Sequence, residues 1–254
     1  MDVHAKPDSA LASRTLPRAL HEAIVHVFRQ RLTGVALVGG TALAGYYAAH
    51  RRSDDMDLFT ANADAQTAAG LAVRTLKDIG ATLEESYNSS QYFKALCLLN
   101  GHRFTVDVVL DSNVHAVGRF LKAGDDVTVA ALDTLFMMKA ATLVSRASEK
   151  DLYDLLWLIL HHDGGRTLDA LLTEGLRIDG GVTAEAMLIS LAGAAPRKEA
   201  CDFALEGGPT AAEIHKSLLG FRRELMAALT ALARGGGAPP LKSLIKAVAR
   251  KLGK

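Results

Sequence analysis

The sequence predicts an α+β protein, with an N-terminal α/β half that contains a mixed sheet and a C-terminal α-helical half. Short apolar runs and one strongly alternating segment, both typical of strands, are confined to the N-terminal half. Beyond about Gly124 the strand signals stop, and apolar residues recur at helical spacing. We therefore expect one domain over residues 1–125 and a helical domain over residues 126–254.

The composition is that of a globular protein. The chain has 254 residues, of which 49% are hydrophobic, and a formal net charge of +1, so any basic binding surface must be local. Its two cysteines, Cys97 and Cys201, form no metal-type pair, which favours a reducing compartment. We find neither a signal peptide nor an apolar run long enough to span a membrane. The sequence thus predicts a cytoplasmic protein with no membrane partner.

The N-terminal half is predicted to alternate helices and strands. Residues 17–31 have the spacing of an amphipathic helix, and the apolar run 35–38 is typical of a buried strand. After the Gly39-Gly40 turn, we expect Thr41 to cap a short helix that ends near residue 50. The other elements expected are strands 56–60, 82–87, 92–99 and 102–110, a helix 64–79 that Gly80 ends, and a tight Asn100-Gly101 turn.

The C-terminal half is predicted to be helical throughout. Apolar periodicity indicates helices over residues 129–145, 149–161, 168–176, 184–191 and 211–233. A Gly/Pro breaker over 234–240 precedes a basic amphipathic helix over 241–252. This last helix would either contact RNA phosphates or dock on the helical domain with its charged side outward.

The segment most informative about function is an Asp-x-Asp strand. Asp55 and Asp57 are two residues apart, so a strand points both carboxylates to one face. Two ionised carboxylates repel each other, and a hard cation such as Mg²⁺ relieves that repulsion. Asp107, inside another apolar strand, either completes a three-carboxylate metal site or pairs with a basic residue.

The Gly39-Gly40 turn ahead of this strand suits phosphate binding. Glycines let backbone N–H groups approach phosphate oxygens at the start of a helix. By itself the turn is weak evidence, because tight turns also use glycine for steric reasons. The sequence has no Walker A motif, which argues against a P-loop fold.

Together these motifs resemble a known enzyme family. The pattern hGGTALA…HRxSxDxDLF, a later strand Asp, a helical lysine and a KDxYDL run follow one another between residues 35 and 156. This order is similar to that of the AbiEii/AbiGii-type nucleotidyltransferases, which include the MenT toxins and belong to the polymerase-β-like superfamily. They are the toxin halves of type IV toxin–antitoxin and phage-abortive systems.

The resemblance implies an activity and partners. It implies a Mg²⁺- or Mn²⁺-dependent transfer of NMP from an NTP to RNA, with the tRNA 3′ end as the expected acceptor. Such transfer would block translation and growth, and a cognate antitoxin is implied as a partner. The catalytic positions implied are Asp55, Asp57, Asp107, Lys139 and Asp151, of which the first three would bind the metal.

The resemblance also implies a set of nucleotide-binding residues. Lys139 would meet the phosphates, and Asp151 would orient Lys139 or the nucleotide. The full set is Gly39, Gly40, Thr41, Arg52, Ser53 and Lys139. Structural alternatives stay open for several of these residues: Lys139 could reach solvent, Arg52 could lie in a solvated loop, and Lys150 could pair with Asp154 along one helix.

Two functional alternatives stay open at this point. Nucleotide could be transferred to a protein hydroxyl, as in AMPylation, rather than to RNA. The chain could also be a degenerate nucleotide-binding interaction module, although the presence of Asp55, Asp57 and Lys139 argues against this.

Overall fold

The computed structural model describes residues 5–193 and 195–246. Contacts divide these residues into two compact units, 5–135 and 136–246. The N-terminal unit is built around a seven-stranded mixed sheet, and the C-terminal unit is helical. The predicted α+β class is therefore confirmed.

The sheet has the strand order β3-β4-β5-β2-β1-β7-β6. The pairs β2–β5 and β1–β7 are parallel, and the remaining pairs are antiparallel. The strands are β1 (Val35–Leu37), β2 (Asp55–Thr60), β3 (Thr82–Asn88), β4 (Tyr92–Leu99), β5 (His102–Leu110), β6 (Phe120–Lys122) and β7 (Thr128–Ala130).

Helices cover the N-terminal unit and make up most of the C-terminal unit. The first group is α1 (Ser9–Thr15), α2 (Arg18–Phe28), α3 (Gly39–Leu43), α4 (Ala63–Arg74) and α5 (Ser112–Val117), with a π-helical turn Ala44–Ala48 after α3 and a 3₁₀ turn Thr75–Ile79 after α4. The second group is α6 (Leu132–Ser145), α7 (Glu149–His162), α8 (Leu168–Leu176), α9 (Ala184–Gly193), a 3₁₀ turn Lys198–Cys201, α10 (Ala211–Ala233) and α11 (Leu241–Leu244).

Most of the predicted elements are confirmed, and the differences occur where local sequence patterns do not decide the structure. The helix predicted from Val129 begins only at Leu132, because residues 128–130 pair with neighbouring strands as β7. Such pairing between distant segments overrides helical spacing in the sequence. The sequence also did not predict strand β6 or the short helices α1 and α5, because segments this short show no clear periodicity.

Two further differences concern helix ends. Thr41 does not cap α3, since the helix begins at Gly39 with Val38 as its N-cap residue. The helix predicted over 241–252 is observed over Leu241–Leu244, and its basic residues beyond 246 lie outside the described residues. Within the described ranges, none of the helices is both long and apolar enough to cross a membrane.

The two faces of the sheet are different. Met56 and Leu58 of β2 and Val106 and Val108 of β5 are buried, and α2 and α4 pack against these two strands. The alternate residues of both strands, which include the aspartates, are half-buried or exposed. The sheet therefore has an apolar core face under the helices and an accessible polar face.

The Asn100-Gly101 turn fixes the register of the hairpin that carries part of this polar face. Its φ angles are 49° and 78°, both positive, as the sequence predicts for this tight turn. The turn aligns β4 with β5 so that Lys94 lies opposite Asp107.

Gln66 joins the core-side helix to both central strands. Its Nε2 donates to the Val108 carbonyl at 2.9 Å, and its Oε1 accepts from Thr60 Oγ1 at 2.8 Å. The Gln66 side chain is buried, so water does not readily replace either hydrogen bond. Gln66 thus holds β2 and β5 in position from behind the polar face.

We expect Gln66→Leu to lower the free energy of unfolding by about 1–3 kcal/mol, because it removes two buried hydrogen bonds and leaves Thr60 only the Val109 carbonyl, at 3.3 Å. Urea denaturation measures the change. Gln91→Leu, at an exposed position in the turn between β3 and β4, is the control and should change stability little. Equal effects of the two substitutions would contradict the role given to Gln66.

Candidate active site

The three predicted carboxylates share the polar face of the sheet. Asp57 of β2 lies in register with Asp107 of β5, and Asp55 lies opposite Thr105. Neighbouring strands are about 4.8 Å apart, and residues two apart on a strand point the same way. Strand pairing thus gathers three aspartates from two distant parts of the sequence.

The glycine turn lies directly against this cluster. Gly39 has a φ of +69°, and a Cβ added there would overlap Asp57 Oδ2 and lie 3.2 Å from Asp57 Cγ. The Val38 N–H donates to the Asp57 carbonyl at 2.9 Å. The N-cap residue of α3 is Val38, whose side chain makes no cap hydrogen bond.

Thr41 and Ser53 brace the loop between the turn and β2. Thr41 Oγ1 donates to the Asp55 carbonyl, and Ser53 Oγ lies 2.8 Å from Thr41 Oγ1. Both side chains are buried. They therefore connect the glycine turn with the start of the Asp-x-Asp strand, and the nucleotide contact predicted for them stays a prediction.

The arginine beside the turn is Arg51, which the sequence analysis did not select. Arg51 is 2% exposed, and its Nη1 donates to the Arg52 carbonyl at 2.8 Å. A Cβ at Gly40 would overlap Arg51 Nη2, so the guanidinium packs on the turn itself. Arg52, the predicted phosphate ligand, is exposed. Two adjacent arginines offer no local signal for which one turns inward.

Asp107 has a basic and a phenolic partner. Lys94 Nζ lies 3.4 Å from Asp107 Oδ1, and the Tyr92 hydroxyl donates to the same oxygen. Asp107 raises the pKa of Lys94. Burial, followed by the hydrogen bond to Asp107 and its charge, raises the pKa of Tyr92. Asp107 thus pairs with a basic residue, as one alternative predicted. It also lies beside Asp57, as a three-carboxylate site would require.

The donor chemistry of this face fits a divalent cation. Carboxylate oxygens are the ligands that Mg²⁺ prefers, and three carboxylates belong to this face. In the part of the chain that the structure describes, no three His, Cys, Asp or Glu side chains converge into a ready metal group. Asp107 Oδ1 faces Lys94 and Tyr92, and Asp55 Oδ1 accepts from Thr105 at 2.7 Å. Asp55 and Asp107 thus each have an oxygen engaged with a protein side chain.

Lys139 lies in a buried ion cluster within the C-terminal unit. Its Nζ lies 2.8 Å from Asp151 Oδ1 and 2.8 Å from Asp154 Oδ2. Lys139 is 6% exposed and Asp154 is fully buried. Arg146 Nε lies 3.1 Å from Asp151 Oδ2, so two cations balance two carboxylates. Lys150, the alternative partner considered for Asp154, is exposed.

Asp151 is held in its charged form by this cluster. Burial raises its pKa, but the Lys139 charge and hydrogen bond, a hydrogen bond from Ser148 and the Arg146 charge together hold the pKa below its usual value. Ser148 Oγ donates to Asp151 Oδ2 at 2.6 Å and also caps α7. The pair Lys139–Asp151 therefore keeps both charges in fixed positions.

Comparison with known proteins establishes the family. A family model described as the nucleotidyl transferase AbiEii toxin of type IV toxin–antitoxin systems matches residues 18–213. The chain belongs to the AbiEii family. The resemblance stated from the sequence motifs is confirmed, and so is the prediction of a nucleotidyltransferase toxin. As a type IV toxin, an AbiEii protein has a nucleotide substrate and a cognate antitoxin.

Solved structures support the fold of this AbiEii chain. MenT4, a nucleotidyltransferase toxin from Mycobacterium tuberculosis, is 16% identical, with a TM-score of 0.53 over 96% of this chain and 98% of that one. JHP933 from Helicobacter pylori is also 16% identical, with a TM-score of 0.51 over 88% of this chain and 95% of that one. No curated protein matches the sequence significantly.

We expect Gly39→Ala to reduce transfer activity more than stability. A methyl group at this position must displace the Asp57 carboxylate, and the left-handed backbone adds roughly 1 kcal/mol of strain. Gly180→Ala, where an added Cβ meets open space, is the matched control. Initial rates and urea denaturation curves of both variants test this. Full activity of Gly39→Ala would contradict the contact between turn and carboxylate.

We expect Asp151→Asn to lower the free energy of unfolding at pH 7 by about 3 kcal/mol, the lower end for breaking a buried pair, because Asp154 still faces Lys139. The folded-state pKa of Asp151 is depressed, so its contribution is present above its unfolded pKa of about 4. That contribution disappears as the pH falls through the folded-state pKa.

Urea denaturation between pH 7 and pH 3 measures this difference. The gap between wild type and Asp151→Asn should narrow toward low pH. Asp169→Asn, which changes an exposed aspartate of the same unit, should show a small gap at every pH. A gap that stays constant for Asp151→Asn would show that its charge is not the stabilising element.

Proposed function

We propose that this AbiEii nucleotidyltransferase transfers NMP from an NTP to an RNA 3′ end in a Mg²⁺-dependent reaction, with the tRNA 3′ end as the acceptor. Modification of that end would prevent aminoacylation and so stop translation and growth. The observation that supports the proposal most is the position of Asp57, against the Gly39 turn and in register with Asp107. A phosphate-binding turn and a carboxylate cluster in direct contact suit the handling of a metal-bound triphosphate.

The carboxylates would hold the cation. Asp55 and Asp57, with Asp107 as the third ligand, supply hard oxygen donors from adjacent strands. When bound, a divalent cation neutralises phosphate charge and lowers the pKa of a coordinated hydroxyl. The Mg²⁺ could be replaced by Mn²⁺, which accepts the same ligands.

The chain's own residues would position the triphosphate and take up the proton. The backbone N–H groups at Gly39 and Gly40 would donate to phosphate oxygens, and the buried Arg51 guanidinium adds positive charge beside them. The acceptor hydroxyl oxygen attacks the α-phosphorus, and the bond to pyrophosphate breaks with its electron pair leaving on pyrophosphate. Asp107 would accept the hydroxyl proton as general base.

The remaining predicted residues keep supporting roles in the proposal. Thr41 and Ser53 would fix the turn and contribute hydroxyls, and Arg52 would add an exposed positive charge. Lys139, oriented by Asp151, would neutralise phosphate charge. If Lys139 acts only through stability, Lys139→Met should lose activity in proportion to its folded fraction.

Asp57→Asn tests the proposal directly. We expect the substitution to reduce transfer of label from α-³²P-NTP to RNA by at least about 10²-fold, because interactions with the cation are worth several kcal/mol. Asp64→Asn, at an exposed position on α4, should leave transfer unchanged. Incubation with each labelled NTP, tRNA and cell lysate shows which molecule takes the label.

Three outcomes would separate the alternatives. Label on a protein band instead of RNA would favour an AMPylation-type reaction. Wild-type activity in Asp57→Asn would exclude this cluster as the catalytic site. Growth inhibition on expression of wild type but not of Asp57→Asn would support a toxin that acts through this chemistry.

A further inference from the structure

A cavity lies at the start of strand β1, at the end opposite the Gly39-Gly40 turn. It measures about 830 Å³, and its walls come from the end of α2, the start of β1, and strands β6 and β7. Gly34 in its wall accepts from the Ala61 N–H at 2.8 Å. Ala61 is four residues beyond Asp57 along β2, or about 13 Å of extended chain. The cavity is therefore separate from the carboxylate cluster.

Positive charge is concentrated in this cavity. Arg29, Arg31 and Lys122 line it together with one acidic residue, Asp126, which gives a local charge of +2 in a chain whose net charge is +1. The three basic side chains are exposed, and within the described residues none of them forms an ion pair. Unpaired cations around a concave surface attract a phosphate-bearing ligand.

The cavity also contains a stacked pair of rings. His115 and Phe120 have centroids 4.5 Å apart and an interplanar angle of 22°. His115 Nε2 lies 2.9 Å from the Phe59 carbonyl oxygen, so Nε2 is the donor and the ring is held in place. A fixed aromatic pair beside cations is the combination that proteins use for unpaired nucleotides, with stacking for the base and charge for the backbone.

Helix electrostatics explain only part of this arrangement. Cations are favourable at the C-terminal end of a helix such as α2, which accounts for Arg29. Arg31 has a φ of +57°, a left-handed conformation where glycine or asparagine is preferred, so its position is costly for structure alone. Lys122 and Phe120 belong to β6 and have no relation to the helix end.

We propose that this cavity binds an unpaired stretch of the RNA acceptor outside the carboxylate site. Arg29, Arg31 and Lys122 contact phosphodiester oxygens, and the His115–Phe120 pair stacks with a base. The proposal rests on the proposed function in taking RNA as the acceptor. An acidic protein segment would satisfy the cations but would leave the aromatic pair without a stacking partner.

The double variant Arg31→Glu/Lys122→Glu tests this site in the full chain. The probe is fluorescein-labelled bulk tRNA, and its binding is measured by anisotropy at several salt concentrations. We expect the affinity at low salt to fall at least about tenfold. The slope of log K against log salt should become less steep by about two, about one for each lost phosphate contact. Phe120→Leu, which removes only the ring, should weaken binding several-fold while keeping the slope.

Lys77→Glu is the matched control, since it reverses an exposed lysine of the same unit outside the cavity. It should retain the wild-type salt slope. Thermal melting and calorimetry of Mg²⁺-NTP binding check that each variant is folded, and both should be unchanged in the double variant.

The outcomes separate this inference from the proposed function. Unchanged tRNA affinity and slope in the double variant would overturn the inference, even if nucleotide transfer to RNA is confirmed. Loss of antitoxin binding with wild-type tRNA binding would overturn it in favour of a protein site. If the wild type transfers no nucleotide to RNA but its tRNA binding depends on Arg31 and Lys122, the proposed function fails and the binding site stands.

Discussion

The pairing of β2 with β5 is the constraint on which the N-terminal unit depends. It places Asp57 beside Asp107 on one face, where two like charges repel each other. Neighbouring side chains offset this repulsion through contacts with single carboxylates. Lys94 and Tyr92 contact Asp107, and Thr105 donates to Asp55. The result is a carboxylate face in which Asp55 and Asp107 each have a side-chain partner on a neighbouring strand.

The glycine turn is in contact with the Asp-x-Asp strand at several points. Gly39 lies against Asp57, while Thr41 and Ser53 connect the turn to the start of β2. Arg51 covers the other side of the turn at Gly40. Residues predicted to touch the nucleotide are therefore also the residues that hold the strand in place. For this reason, activity and stability have to be measured together for substitutions in this loop.

Charge is used differently in other parts of the molecule. In the helical unit, Lys139, Arg146, Asp151 and Asp154 form a balanced cluster in which three of the four side chains are buried. Such a cluster is costly to break, because each remaining charge would be buried without its partner. The cavity at the start of β1 has the opposite character, with exposed cations and no ion pairs among the described residues. Within the N-terminal unit, the carboxylate cluster and the basic cavity thus lie at opposite ends of β1.

The sequence by itself determined the family, the fold class, the presence of the long helices and the positions of five strands to within about one residue. These features depend on local patterns: period-two alternation in β5, helical spacing in α8 and α10, and the Asn100-Gly101 turn with its two positive φ angles. The Asp-x-Asp spacing alone placed Asp55 and Asp57 on one face. Asp107 was selected as a buried-strand aspartate, but its two possible partners could not be ranked from the sequence.

Only the tertiary structure decided the contacts between distant segments. Register across β2 and β5 put Asp107 beside Asp57, and the hairpin put Lys94 opposite Asp107. Packing on Gly40 turned Arg51 inward and left Arg52 exposed, a choice that two identical neighbours cannot encode locally. The short strands β6 and β7 and the basic cavity they help to form also arise from pairing. Local propensity fixes elements because it acts over a few residues, whereas a site is fixed by pairing and packing between segments far apart in sequence.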